Sequence, residues 1–221
     1  MNEFRYKFED RFAETKGYDG FAADKEEINH FFETRIKGKV ADHANVGIDS
    51  KNQHIYNLCY DCNIPLWLEL YERVVNVATK SGVKLNWDEI RHCIRFTFIW
   101  MPPGGNLLPH TARAFRALSA FNMPIRGKTA ISFYEHLPGH NPGEKIETHE
   151  YFNPNFLNVN RFHGVTNDTD SERMILKTHL MITPWDKLVQ AYEGDETVNM
   201  FDFTVPWQQI PKDYHVYEKV K

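Results

Sequence analysis

The sequence predicts a mainly β domain flanked by a few helices, with its strands folded into a sandwich or barrel of which the double-sheet jelly roll is one form. Three observations lead there. Beyond residue 94, short runs of strand-like residues recur, separated by turn-forming clusters such as GHNPGEK and NDTDSE. One long segment, 64–80, has helical rather than strand period. Finally, 221 residues suffice for one large β domain with helical additions.

The elements follow in order. Residues 1–60 are polar and weakly patterned, punctuated by Gly17, Gly20, Gly38 and Gly47, and are expected to wrap or cap a core. In IPLWLELYERVVNVATK the apolar residues Leu66, Leu70, Val74, Val77 and Ala78 fall on one helical face. Pro65 suits its first turn and Ser81-Gly82 its end. CIRFTFIWMPPGG then alternates Ile94, Phe96, Phe98 and Trp100, a strand ending in a Pro-Gly turn. Further strands are expected near 116–125, 128–135, 146–152, 156–162 and 173–182. A short helix near 185–193 precedes an aromatic tail. The expected organisation is a single domain over 1–221: a capping segment 1–89 with its helix near 64–80, a β core 90–185, and an extension 186–221.

Composition narrows the function classes. A hydrophobic content of 42% with 25% charged residues is that of an ordinary soluble protein. No apolar stretch approaches the roughly 20 residues that cross a bilayer. The N-terminus lacks the apolar core of a secretory signal, so a cytoplasmic location is the expectation, with no membrane partner. A net charge of −4 and scattered Lys and Arg disfavour nucleic acid as a partner. Three cysteines argue against a disulfide framework. CYDC at 59–62 has zinc-knuckle spacing, but no second pair follows, so buried or idle thiols are the simpler reading.

Two of the eleven histidines stand apart. His110 follows the turn PPGGNLLPH and leads into a strand-like run; His163 lies in FLNVNRFHGVTN, at the end of another. Arg173 opens RMILKTHLMI ten residues later. Alternation puts Arg173, Ile175, Lys177 and His179 on one face of that strand and Met174, Leu176, Thr178 and Leu180 on the other. A buried arginine requires a partner, and a planar guanidinium suits a carboxylate. The bland readings are a hydrogen-bonded structural histidine at 110 and an Arg173 paired with Asp170 or Glu172 at the surface. His136, His140 and His149 lie in or near turns and read as solvated. Asn158 and Asn160 either orient a ligand or terminate a strand.

The stretch 107–182 resembles the iron(II)- and 2-oxoglutarate-dependent oxygenases, whose core is a double-stranded β-helix, a cupin-like jelly roll. NMPI at 122–125 and FLNVNRFHGVTN at 156–167 are similar to the subset related to aspartyl/asparaginyl β-hydroxylases and small amino-acid hydroxylases. The resemblance covers roughly residues 90–185. It implies that His110 and His163 bind iron(II) and that Arg173 binds the distal carboxylate of 2-oxoglutarate. Arg116 would hold an acidic group of substrate or cosubstrate, and Tyr134 or Ser132 would hydrogen-bond the oxoacid. The same residues have ordinary alternatives: an exposed arginine, a packed tyrosine. His179 would be a further pocket residue.

Ala112 departs from the pattern. Most members carry Asp or Glu two residues after the first histidine, completing a 2-His-1-carboxylate face. Three outcomes stay open: hydroxylation at a two-histidine site with solvent in the gap, halogenation with chloride at the vacated position, or a core that no longer binds metal well. Hydroxylation of an unactivated C–H bond is the first reading, with an amino acid, a small acid or a protein side chain as substrate. A halogenase is the rival enzyme, and a non-catalytic jelly-roll binding module the rival of another class. Neutral imidazoles are needed as ligands, so activity is expected to fall as pH drops toward histidine's ordinary value of about 6.5. Trp185, Tyr192, Phe201, Phe203 and Trp207 would form a lid, a dimer contact or part of the core.

Overall fold

Alternating strands dominate the computed structural model, which describes residues 11–39, 50–51, 53–60, 63–111, 119–139, 141–181, 183, 185–192 and 194. Two antiparallel sheets form a jelly roll. The larger has six strands: β1 (Phe12–Glu14), β9 (Asn155–Leu157), β6 (Ser119–Arg126), β11 (Arg173–Leu180), β4 (Ile94–Met101) and β3 (His54–Cys59), in that spatial order. The smaller has five: β2 (Ser50–Lys51), β5 (Asn106–His110), β10 (His163–Thr166), β7 (Ala130–Leu137) and β8 (Asn141–Glu150). Within the larger sheet, β11 sits between β4 and β6, both antiparallel to it.

Helices cover the outer face of the larger sheet. The first, α1 (Phe21–Phe31), runs into a π-helical turn, Phe32–Ile36, and buries Phe21, Ile28, Phe31, Phe32 and Ile36. The second, α2 (Ile64–Lys80), has the bounds its period predicts. Asn63 caps it by accepting a hydrogen bond from the Leu66 amide at 3.2 Å, and Pro65 occupies the first turn. Its buried stripe meets Phe96, Phe98, Phe121, Met123, Met174 and Leu176 from the sheet in one apolar cluster. Short α3 (Trp87–Ile90) and α4 (Trp185–Tyr192) add Trp87, Trp185 and Leu188 to it. A smaller cluster, with Met101, Ile131, Phe133, Leu157 and Val165, fills part of the space between the sheets.

The structure departs from the sequence reading in several places. The expected capping segment contributes more than a cap, because β1 and β3 are strands of the larger sheet. In β3 only Tyr56 and Leu58 face the apolar cluster, too few to register as a pattern. The expected strand 156–162 breaks after Leu157. There the Asn158 carbonyl accepts from the Arg161 amide, and the Asn158 side chain accepts from the Asn160 amide, forming a turn before β10. Asn158 and Asn160 therefore end a strand.

One glycine fixes the approach to the site. Gly127, in the turn between β6 and β7, has φ +64°, and a Cβ there would lie 2.2 Å from the Glu172 carbonyl oxygen. Only glycine lets that turn lie against the start of β11.

Candidate active site

His110 closes β5, His163 opens β10, and the two pair directly across the smaller sheet. Their ring centroids are 4.5 Å apart. The register shifts beside them: His163 faces His110, yet Val165, two residues on, faces Leu107, three residues back. A local irregularity of this kind re-aims side chains near a site. It lets the His110 ring meet His163 while Leu107 also lines the space between the sheets. Gly164 permits the close approach, since a Cβ there would lie 3.0 Å from the Leu107 carbonyl oxygen.

Each imidazole is oriented by its own strand. His110 Nδ1 lies 3.0 Å from the Leu108 carbonyl oxygen, and His163 Nδ1 lies 2.8 Å from that of Arg161. A carbonyl only accepts, so Nδ1 carries the proton in both rings and Nε2 presents a lone pair. His163 Nε2 is buried and meets no hydrogen-bond partner. Buried acceptors seldom remain unsatisfied, and a metal-binding histidine held at its other nitrogen by a carbonyl has this geometry. Burial, then His110, then Lys177 hold His163 well below the ordinary histidine range. Its ring therefore stays neutral, the form a ligand needs, to a lower pH than its unperturbed value implies.

Arg173 faces the histidines from the larger sheet. It opens β11 opposite Met101 and is 2% exposed. The Tyr151 hydroxyl lies beside its guanidinium and favours its charge, and that hydroxyl is also 3.4 Å from Asn122 Nδ2. Arg173 Nε has no partner. The surface pairing open to Arg173 in the sequence does not form with Glu172, whose carboxylate turns to Arg126 at 3.4 Å.

Between the sheets lies a small, partly open cavity. His163, Arg173, Lys177, Asn122, Tyr151 and Gln53 give its polar lining, against apolar walls that include Ile99, Met101 and Ile131. Among the described residues no aspartate or glutamate lines it. Its mixed lining, polar groups against apolar walls, suits a small polar ligand.

Other residues singled out by the sequence fall elsewhere. Ser132 and Tyr134 are corrected: on β7 the buried inward positions are Ile131 and Phe133, so alternation turns Ser132 and Tyr134 away from the cavity. Ser132 instead pairs with the Thr148 hydroxyl at 2.9 Å. His149 is corrected as well. It is buried, stacks on Phe12 at 3.6 Å between centroids, and lies 3.0 Å from Asn155 Nδ2. His136 is solvent-exposed, against the Phe162 ring. His179 is buried on the Arg173 side of β11, near Lys177 and His163, but outside the cavity lining. Trp185 packs in the helical core, with Tyr192 at its margin. Cys59, half-buried, ends β3. Ala112, Arg116, His140, Cys62, Phe201, Phe203 and Trp207 lie outside the described residues.

Tyr151, Asn122 and Gln53 escaped the sequence reading. Tyr151 and Gln53 lie just outside strands, at positions where no alternation marks a face. Asn122 sits inside a strand whose residues are nearly all buried, so its direction toward the cavity had no local contrast.

No protein-family model and no curated protein matches the chain. Among solved structures it is similar to a dioxygenase for auxin oxidation in rice, at 12% identity, with 77% of this chain and 72% of that one covered and a TM-score of 0.45. It is similar to a prolyl-4-hydroxylase of Pseudomonas putida, at 12% identity, with 77% and 92% covered and a TM-score of 0.43. It is similar also to hazelnut vicilin, at 10% identity, with 62% of this chain covered and a TM-score of 0.36; the chain spans 31% of that protein. Likenesses this distant bring no residue roles to this chain.

Proposed function

We propose that the protein is an iron(II)- and 2-oxoglutarate-dependent oxygenase, with His110 and His163 as its metal ligands and Arg173 as the anchor of the oxoacid. One observation carries this reading. The buried, unpartnered Nε2 of His163, with His110 beside it, shares an acid-free cavity with a buried guanidinium that also has an unpartnered nitrogen. Imidazole suits divalent iron, so the donors fit the metal. Among the described residues no group of three or more His, Cys, Asp or Glu side chains is placed to hold a metal, and the donors argued for here are the two imidazoles.

When bound, the metal with 2-oxoglutarate and oxygen supplies the oxidation of an unactivated C–H bond. The chain's own residues bind, orient and keep water out. Carbonyls 108 and 161 hold the two rings in one tautomer. Arg173, steadied by the Tyr151 hydroxyl, offers its remaining N–H groups to a carboxylate. Ile99, Met101, Ile131 and Val165 exclude water from the walls. Hydroxylation is the preferred outcome.

The test mixes metal-free protein anaerobically with iron(II) and 2-oxoglutarate and records the visible charge-transfer band of the chelated cosubstrate. The wild type should give the band and His163→Ala should not. Arg173→Met should require on the order of a hundredfold more 2-oxoglutarate, the scale of losing a buried charge pair. A chloride-dependent shift of the band moves the reading to halogenation. Absence of any band at millimolar iron overturns the oxygenase reading and leaves an anion-binding module.

A further inference from the structure

The inner face of β11 carries a second cation that the reading above does not use. Lys177 lies four residues beyond Arg173 on the same face, about 13 Å along the strand. It is 7% exposed and lines the same cavity. Its cross-strand neighbours are Thr97 and Asn122, neither of them acidic. The charges it feels from Arg95 and Arg173 are cationic too. Among the described residues no carboxylate forms an ion pair with Lys177 or with Arg173. Burial, reinforced by the two guanidiniums, pushes the ammonium down to about 7.

A lone buried cation is costly, and two in one acid-free cavity make an imbalance that an apolar residue at 177 would remove. Among the described residues no carboxylate stands there, and a ligand can bring the negative charge. On the oxygenase reading, Arg173 takes one end of the oxoacid and the metal takes the other. Lys177 is left over. The cavity is partly open, so a ligand can reach Lys177 from outside.

We propose that Lys177 anchors a carboxylate of the primary substrate, so that the molecule oxidised is a small carboxylic acid bound beside the oxoacid. The inference rests on the oxygenase reading for the identity of the first ligand. Lys177 is here a specificity-determining residue: it selects an acid over its neutral analogue and does no chemistry.

The full chain, loaded with manganese(II) as a redox-inert stand-in and saturated with 2-oxoglutarate, would be titrated calorimetrically with acetate, propionate and butyrate, each against its neutral amide. The wild type should bind the best acid at least roughly tenfold more tightly than its amide. Lys177→Met and Lys177→Gln should lose that preference while keeping 2-oxoglutarate affinity within about threefold of wild type, well inside the tenfold that 1.4 kcal/mol represents. Retained 2-oxoglutarate binding also shows that the variants fold. Equal binding of acid and amide by the wild type overturns the proposal. So does a loss of 2-oxoglutarate affinity in the Lys177 variants as large as in Arg173→Met, because both cations would then hold one oxoacid. If the wild type binds no 2-oxoglutarate yet prefers acids through Lys177, the oxygenase reading fails and the anchor stands.

Discussion

The two faces of β11 are equally buried and chemically opposite. All eight residues, Arg173 to Leu180, are buried. On the outer face Met174, Leu176 and Leu180 join the apolar cluster beneath the helices. On the inner face Arg173, Lys177 and His179 surround Ile175 and look toward the cavity side. Burial alone therefore does not mark a structural core. The outer face is complete in the folded chain, its neighbours supplied by α1, α2 and adjacent strands. The inner face is charged, and among the described residues neither of its cations has a carboxylate partner. Stability is concentrated on one side of a single strand and binding capacity on the other, a division that costs the free protein stability where the site is built.

The comparison can be broken first on its outer face. Phe98→Ala, at a 0% exposed position of the helical cluster, should destabilise by roughly 3–5 kcal/mol in urea unfolding. A loss under about 1 kcal/mol, the scale of a tolerant hydrophobic swap, would show that this face is not the structural one.

The inner face should respond with the opposite sign. Lys177→Met replaces a buried, unpaired ammonium by an apolar chain of similar length. The ligand-free variant should melt several degrees higher, the shift that about 1–2 kcal/mol gives a chain of this size. A fall in melting temperature would mean that the ammonium already has an anion in the folded protein.

Acid should sharpen the contrast further. His149, His163 and His179 are buried and held below the ordinary histidine range, in each case chiefly by desolvation. An unfolded chain protonates these groups near pH 6.5, whereas the folded chain does not, so below that pH the unfolded state binds more protons. The contribution of these three histidines should therefore be at its full value above about pH 6.5 and fall as pH drops toward the lowered folded values. Urea midpoints at about pH 7.5 and 5.5 would show it, and a flat or rising midpoint on acidification would contradict it.

The smallest effect concerns the exception on the outer face. Thr178 is fully buried and its hydroxyl has no hydrogen-bond partner. Thr178→Val should stabilise by about 1 kcal/mol, since it removes an unsatisfied buried group without leaving a partner stranded. Destabilisation would reveal a hidden acceptor for the hydroxyl.

Much of the fold was legible. α2 announced itself through five apolar residues at helical spacing, a Pro in its first turn and Ser81-Gly82 at its end; the structure adds the Asn63 cap. β4 and β11 were readable because their alternation is long. The missed elements, α1 and β3, carry few apolar residues per turn or per face, and they become ordered by packing on a sheet whose other strands lie far away in sequence. Ser132 and Tyr134 show the limit from the other direction. Alternation said that they share a face, and nothing local said which face meets the cavity.

The sequence by itself determined the period of each element, the order His110, His163, Arg173, and the grouping of Arg173 with Lys177 on one side of a strand. These are local properties, set by the two-residue repeat of a strand and the steric preferences of Gly, Pro and Asn. Tertiary structure alone decided that His110 stands opposite His163, that a register shift turns both rings together, and that Glu172 pairs with Arg126 and leaves Arg173 to the cavity. Such contacts join residues distant in the chain. They depend on which strands pair and in what register, and a slip of one residue would send every side chain of β11 to the other face.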